Sequence, residues 1–151
     1  LLAIYEPTLY GGNKDQGSHI LSNNNAAQCL RCHAFNGKGS RVGPDLDHIA
    51  DKLDRENLLL SLIDPNARIA EGYGTVILKL KNGEEKAGIL MGETKHDLQL
   101  KIGNASIQTF LKKNIQEKET LPSGMLNMSE VLNKSQIRDL VAYLVTLKSQ
   151  R

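Results

Sequence analysis

Tryptophan is absent from this chain of 151 residues, and the other aromatics are few, with four tyrosines and two phenylalanines. A core built from such a sequence is short of large flat groups. Only two cysteines are present, which excludes the disulfide framework that staples many small secreted domains. No apolar run is long enough to span a bilayer as a helix. Neither sign of charge dominates: 19 Lys and Arg stand against 17 Asp and Glu, a formal net charge of +2. That balance argues against a nucleic-acid partner, which favours a strong basic excess or stripe. The chain opens Leu1-Leu2-Ala3-Ile4-Tyr5, with no initiator Met and no basic stretch ahead of an apolar one. It reads as a processed product or an excised piece, and targeting is not legible in it.

What is present is concentrated. The two cysteines fall in one pentapeptide, Cys29-Leu30-Arg31-Cys32-His33. This is C-x-x-C-H, the attachment signal for a c-type haem. On a helical turn, positions three apart share a face, so both thiols reach the vinyl groups of one porphyrin. His33 then follows as the proximal iron ligand, a role its neutral imidazole suits. A thioredoxin-like redox pair would need a strand before the motif, and Ser22-Asn23-Asn24-Asn25 is not one. A structural zinc site would need two further ligands at tight spacing, whereas His19, His48 and His96 are scattered. A disulfide across two intervening residues would be strained. One covalent haem also supplies the flat group that the core lacks, and its propionates bring the net charge close to neutral.

The length fits one domain, or one domain with an insert. Residues 1–12 read as a linker ending at Gly11-Gly12. Asn13 with Gln16 caps a short helix to about Leu21, and Asp54 caps another carrying Leu58, Leu59, Leu62 and Ile63. Pro65 ends the latter. From Tyr73 the period changes to two. Residues 75–81 read as a strand, Asn82-Gly83 as a hairpin turn, and residues 86–91, 97–102 and 106–111 as further strands. Asn133 with Gln136 caps a last helix whose stripe is Ile137, Leu140, Val141, Leu144 and Val145. Before it lies a turn-rich loop, residues 121–128, carrying Met125 and Met128. A thioether is a soft neutral ligand that favours ferrous iron, although methionines also commonly fill cores. Met91, in a strand, reads as packing.

Together, Cys29-x-x-Cys32-His33, Gly43-Pro44-Asp45-Leu46, the Met loop and Asp139-Leu140-Val141-Ala142-Tyr143-Leu144 resemble a class I c-type cytochrome. The longer run, with Ala27-Gln28 before the motif and Ile63-Asp64-Pro65-Asn66-Ala67 after it, resembles the haem-binding domain common in planctomycetes, verrucomicrobia and Bacteroidetes. The resemblance implies a mostly α chain. Residues 13–151 would form a class I cytochrome c fold, with a β-strand insert at about 73–117 ahead of the Met loop and C-terminal helix. It also implies that the carbonyl of Pro44 accepts the Nδ1 proton of His33 and that Leu46 covers the ring. Gly17 and Ile20 would cross Leu140 and Tyr143.

The same resemblance implies a methionine as sixth ligand. Many members begin the loop with Met-Pro, where this chain has Leu121-Pro122. Met125 lies 14 residues before Asp139 and Met128 lies 11. Related ligands sit somewhat more than eleven before that position, so Met125 is preferred and Met128 is the alternative. His19, His48 and His96 read as surface histidines. Arg41 and Tyr73 are equally readable as propionate partners or as solvated side chains, and Lys79, Lys81, Lys112 and Lys113 as a solvated strand face.

The expected function is that of a non-enzymatic, mono-haem electron carrier. It would take single electrons from a docked or fused dehydrogenase and pass them to another carrier. A haem-based sensor or small-ligand-binding module is the alternative. Thioether attachment takes place outside the cytoplasm, so a periplasmic, extracellular or cell-surface location is expected.

Overall fold

Asn13 opens the first long helix as the sequence dictates. Its side-chain oxygen accepts from the backbone N–H of Asp15 and of Gln16, at 2.9 and 3.1 Å. The computed structural model describes residues 2–104 and 106–150. Among these the helices are α1 (Leu2–Tyr5), α2 (Lys14–Asn23), α3 (Ile49–Lys52), α4 (Arg55–Ile63) and α5 (Lys134–Leu144). The strands are β1 (Ala34–Phe35), β2 (Lys38–Gly39), β3 (Thr75–Leu80), β4 (Glu85–Glu93), β5 (Asp97–Lys101), β6 (Ile107–Leu111) and β7 (Ile115–Thr120).

This composition overturns the expected mostly α class I cytochrome c fold with a β insert. The architecture is mixed α/β, 34% helix and 24% strand, with N- and C-terminal helices packed together and a five-stranded antiparallel sheet. The helices are short, the longest being α5 at 11 residues. The sheet gains a strand, β7, whose sequence shows no alternation.

Two compact units are present. The first comprises the residues up to Arg68 and those from Met125 onward; the second is Ile69–Gly124. In the first, α2 packs on α5 at small residues. A methyl group at Gly17 would overlap the Asp139 carbonyl and lie 2.8 Å from Tyr143 Cβ. The backbone N–H of Asn13 donates to Asp139 Oδ1 at 2.8 Å. Helix α5 opens with a complete capping box, Asn133 and Gln136 each bonding the other's backbone. Asp54 caps α4 through the N–H of Asn57 at 2.9 Å. The core of this unit is aliphatic, built on Leu21, Leu59, Ile63, Ile137, Leu140 and Val141. The opening segment, read from sequence as a linker, contains α1 and buries Thr8 and Leu9. Arg55 Nη1 donates to the Leu9 carbonyl at 2.7 Å and stacks over the Tyr10 ring.

In the second unit the strand order is β6-β5-β4-β3-β7. One face buries Val76, Leu78, Leu80, Leu98 and Leu100, with Leu90, Ile102, Phe110 and Ile115 against them. The β3–β4 hairpin turns at Asn82-Gly83, where Gly83 takes a φ of +94° that suits a residue without Cβ. Register shifts at Lys79/Leu80 and at Leu90/Gly92 bend the strands.

Candidate functional site

The first unit carries the C-x-x-C-H segment on a single tight turn. Gln28 is left-handed, with φ of 45° and ψ of 48°, and delivers the chain into a 3-10 turn, Cys29–Arg31. The carbonyl of Cys29 accepts from the N–H of Cys32 at 3.2 Å and of His33 at 2.9 Å. One carbonyl therefore closes the turn that carries both cysteines and the histidine. The cysteines are not bonded to each other, and burial pushes the Cys29 thiol above its ordinary value, offset in part by a backbone hydrogen bond.

His33 is held from two sides. Its Nδ1 lies 2.6 Å from the Pro44 carbonyl oxygen. With the proton donated there, Nε2 keeps the lone pair that a metal requires. Gly43 lies against the ring, and a Cβ at this position would sit 2.7 Å from Cε1 and 2.9 Å from Nδ1. The loop from the motif to Pro44 is fastened by backbone bonds. Gly43 N–H donates to the Cys32 carbonyl at 2.6 Å, and Leu46 N–H to the Ala34 carbonyl at 2.9 Å. The β1–β2 hairpin between them turns on Asn36 and Gly37, both at positive φ. A Cβ at Gly39 would overlap the His33 carbonyl. Phe35 meets Tyr143 of α5 edge-on, ring centroids 6.2 Å apart, which ties the loop to the helix pair.

Cys29, Phe35 and Met125 are half-buried and pack against one core, to which Leu46 belongs. Met128, first residue of the 3-10 turn Met128–Glu130, is buried in that core, only 4% exposed. Val42 and Leu126, flanking the Gly43-Pro44 pair and Met125 in sequence, are 73% and 56% exposed. This donor set fits a covalently bound haem. Two thiols share a turn, an imidazole is oriented through Nδ1, a thioether stands half-buried on a loop, and the sequence neighbours Val42 and Leu126 are exposed apolar side chains.

The other residues singled out from sequence are mostly exposed. His19 is exposed on α2, its Nδ1 3.3 Å from Asn23 Nδ2. His48 precedes α3 and His96 sits in the β4–β5 turn, both exposed. Arg41 is exposed; Tyr73, 43% exposed, and half-buried Met91 belong to the second unit. Lys79, Lys81, Lys112 and Lys113 are exposed, and Lys112 pairs with Glu93. Among the described residues, no group of three or more His, Cys, Asp or Glu is placed to hold a metal ion, and no helix is long and apolar enough to cross a membrane. The contacts of Gly39 and Gly43 with His33 were missed from sequence. Their only signal was glycine density after the motif, which turn formation alone explains. No protein-family model matches the chain, and no curated protein matches it.

Proposed function

We propose that the first unit binds one haem c and transfers single electrons. The observation that carries this reading is the 2.6 Å contact between His33 Nδ1 and the Pro44 carbonyl, made by an imidazole adjoining two unbonded cysteines. A hydrogen bond of this kind fixes the tautomer and makes the imidazole a stronger donor. Bound haem supplies a one-electron ferric–ferrous couple. The chain's own residues do the rest. Cys29 and Cys32 anchor the group through thioethers, His33 presents Nε2, and Leu46 and Phe35 add apolar cover. Met125 is the proposed sixth ligand. It is half-buried on the loop, whereas Met128 is consumed by the core.

If His33 and Met125 both held the iron, no coordination site would be left for substrate, and the role would be carriage and not catalysis. The partners proposed are a dehydrogenase-type donor, docked or fused, and a downstream carrier. Attachment of haem c outside the cytoplasm makes the proposed location periplasmic or at the cell surface. A haem-based ligand sensor is the second reading, favoured by the place of Met125 on a loop next to exposed Leu126. Expression with a haem c maturation system, followed by acid–acetone extraction and intact mass, is the test. One haem retained per chain is expected; extractable haem, or none, overturns the proposal. The weak long-wavelength ferric band of a methionine–iron bond separates carrier from sensor.

A further inference from the structure

The two edges of the five-stranded sheet are chemically unlike. Edge strand β7 carries Glu117, Lys118 and Glu119, with Lys118 Nζ 3.3 Å from Glu93 Oε1. Charges of this kind guard a free edge against pairing with another chain. Edge strand β6 reads Ile107-Gln108-Thr109-Phe110-Leu111 and has no charge at all. Ile107 is 53% exposed and Leu111 43%.

The direction of its backbone groups follows from the register. Leu111 pairs with Asp97, and one step further Lys112 N–H donates to the His96 carbonyl at 2.8 Å. Hydrogen-bonded pairs alternate along an antiparallel ladder. Phe110 and Gln108 therefore turn their backbone groups to β5, while Ile107, Thr109 and Leu111 turn theirs to the open edge. The side chains of these same three residues lie on the face opposite buried Leu98 and Leu100.

We propose that β6 is a docking edge for a second copy of this chain, the two strands joining antiparallel about a two-fold axis at Thr109. This register sets Ile107 of each copy against Leu111 of the other and brings no like charges together within the strand pair. Charge on the neighbouring strand agrees with this direction. Asp97 pairs with Leu111 and Lys101 with Ile107, so each cross-strand row runs from Asp97 of one copy to Lys101 of the other. A parallel, in-register pairing would instead place Asp97 in line with Asp97. The charged β7 edge blocks open-ended stacking, so association closes at the dimer. Five residues make a small interface, and the dimer is accordingly weak and concentration-dependent.

Sedimentation of the full chain from micromolar to millimolar concentration tests this. A shift from monomer to dimer mass is expected. Amide exchange at Ile107, Thr109 and Leu111 should slow in step with the dimer fraction, while Lys118 and Thr120 on the other edge keep their rates. Thr109→Lys should leave a folded monomer at every concentration, and Thr109→Val should keep the dimer. A wild-type chain that stays monomeric throughout, a dimer indifferent to Thr109→Lys, or protection arising at β7 instead of β6 overturns the proposal. Should Thr109→Lys fail to fold, the wild-type exchange pattern decides alone.

Discussion

Gly43 and the imidazole of His33 are in van der Waals contact, and the space between them has no room for a methyl group. A Cβ on Gly43 would lie 2.7 Å from His33 Cε1 and 3.2 Å from Nε2. The ring can be oriented by Pro44 only because the preceding residue has no side chain.

Gly43→Ala should therefore push the imidazole away from the Pro44 carbonyl. If the chain carries the proposed haem, the expected outcome is a variant that keeps it through Cys29 and Cys32 but shows a larger high-spin ferric fraction and binds added imidazole. Gly124→Ala is the control, because a Cβ there meets nothing within 4 Å. Optical spectra of both variants check it; equal spectra would remove the positioning role of Gly43.

The helix pair gives a prediction of stability. At Gly17 an added methyl overlaps the Asp139 carbonyl and crowds Tyr143 Cβ, so α2 and α5 must separate. Gly17→Ala should destabilise the first unit by about 1–3 kcal/mol, the usual cost of overpacking, despite alanine's better helix propensity. Thermal unfolding measures it, and an unchanged or higher midpoint would contradict the close helix approach.

Much of this was legible in the sequence, and what was not has a common cause. The caps at Asn13, Asp54 and Asn133, and the turn at Asn82-Gly83, are local chemistry, and the structure places an element at each. Strand β7 was illegible because Ile115-Gln116-Glu117-Lys118-Glu119-Thr120 has only one residue even half-buried. It is a strand because β3, some forty residues away, supplies the ladder: Val76 pairs with Thr120 and Ile77 with Glu119. The mostly α class came from the resemblance, and the sheet overturns it. The burial of Leu9 was hidden for the same reason, since Arg55 fastens it from a distant helix. In the candidate site, the cysteines and histidine are a contiguous motif, whereas the pressure of Gly43 on the ring exists only once the loop has folded back.

The second unit carries a pH-sensitive contact. Although desolvation pushes the Glu93 carboxyl up, Lys118 and Lys112, 3.3 and 3.4 Å away, hold it below its ordinary value. A depressed carboxylate stabilises the folded state above its unfolded pKa, and that contribution disappears as pH falls through the lowered one. The side chain is 39% exposed, so screening limits the contribution to about 1 kcal/mol or less. Glu93→Gln should lower the urea midpoint slightly near neutral pH. The difference should shrink as pH falls below the usual carboxylate range and through the lowered pKa, and shrink in high salt. A difference that persists in acid would assign the effect to packing.

The sharpest division lies between two methionines three residues apart. Met128 is 4% exposed among aliphatic side chains, while Met125 is half-buried on the loop before it. If Met125 is the sixth ligand, Met125→Ala should abolish the long-wavelength ferric band, admit carbon monoxide or imidazole, and lower the reduction potential, since the ferrous form loses its thioether. The fold should survive, because little buried surface is lost. Met128→Ala should do the opposite. The ferric band and potential stay near wild type, while unfolding shows a loss of about 2–5 kcal/mol, the cost of a large-to-small change in a closed core. Both variants need two measurements, a spectrum and a melt, because either alone confuses a lost ligand with a loosened core. The reverse pattern would move the ligand to Met128. Two unchanged spectra would leave the iron open or histidine-bound and turn the reading from electron carriage towards ligand sensing.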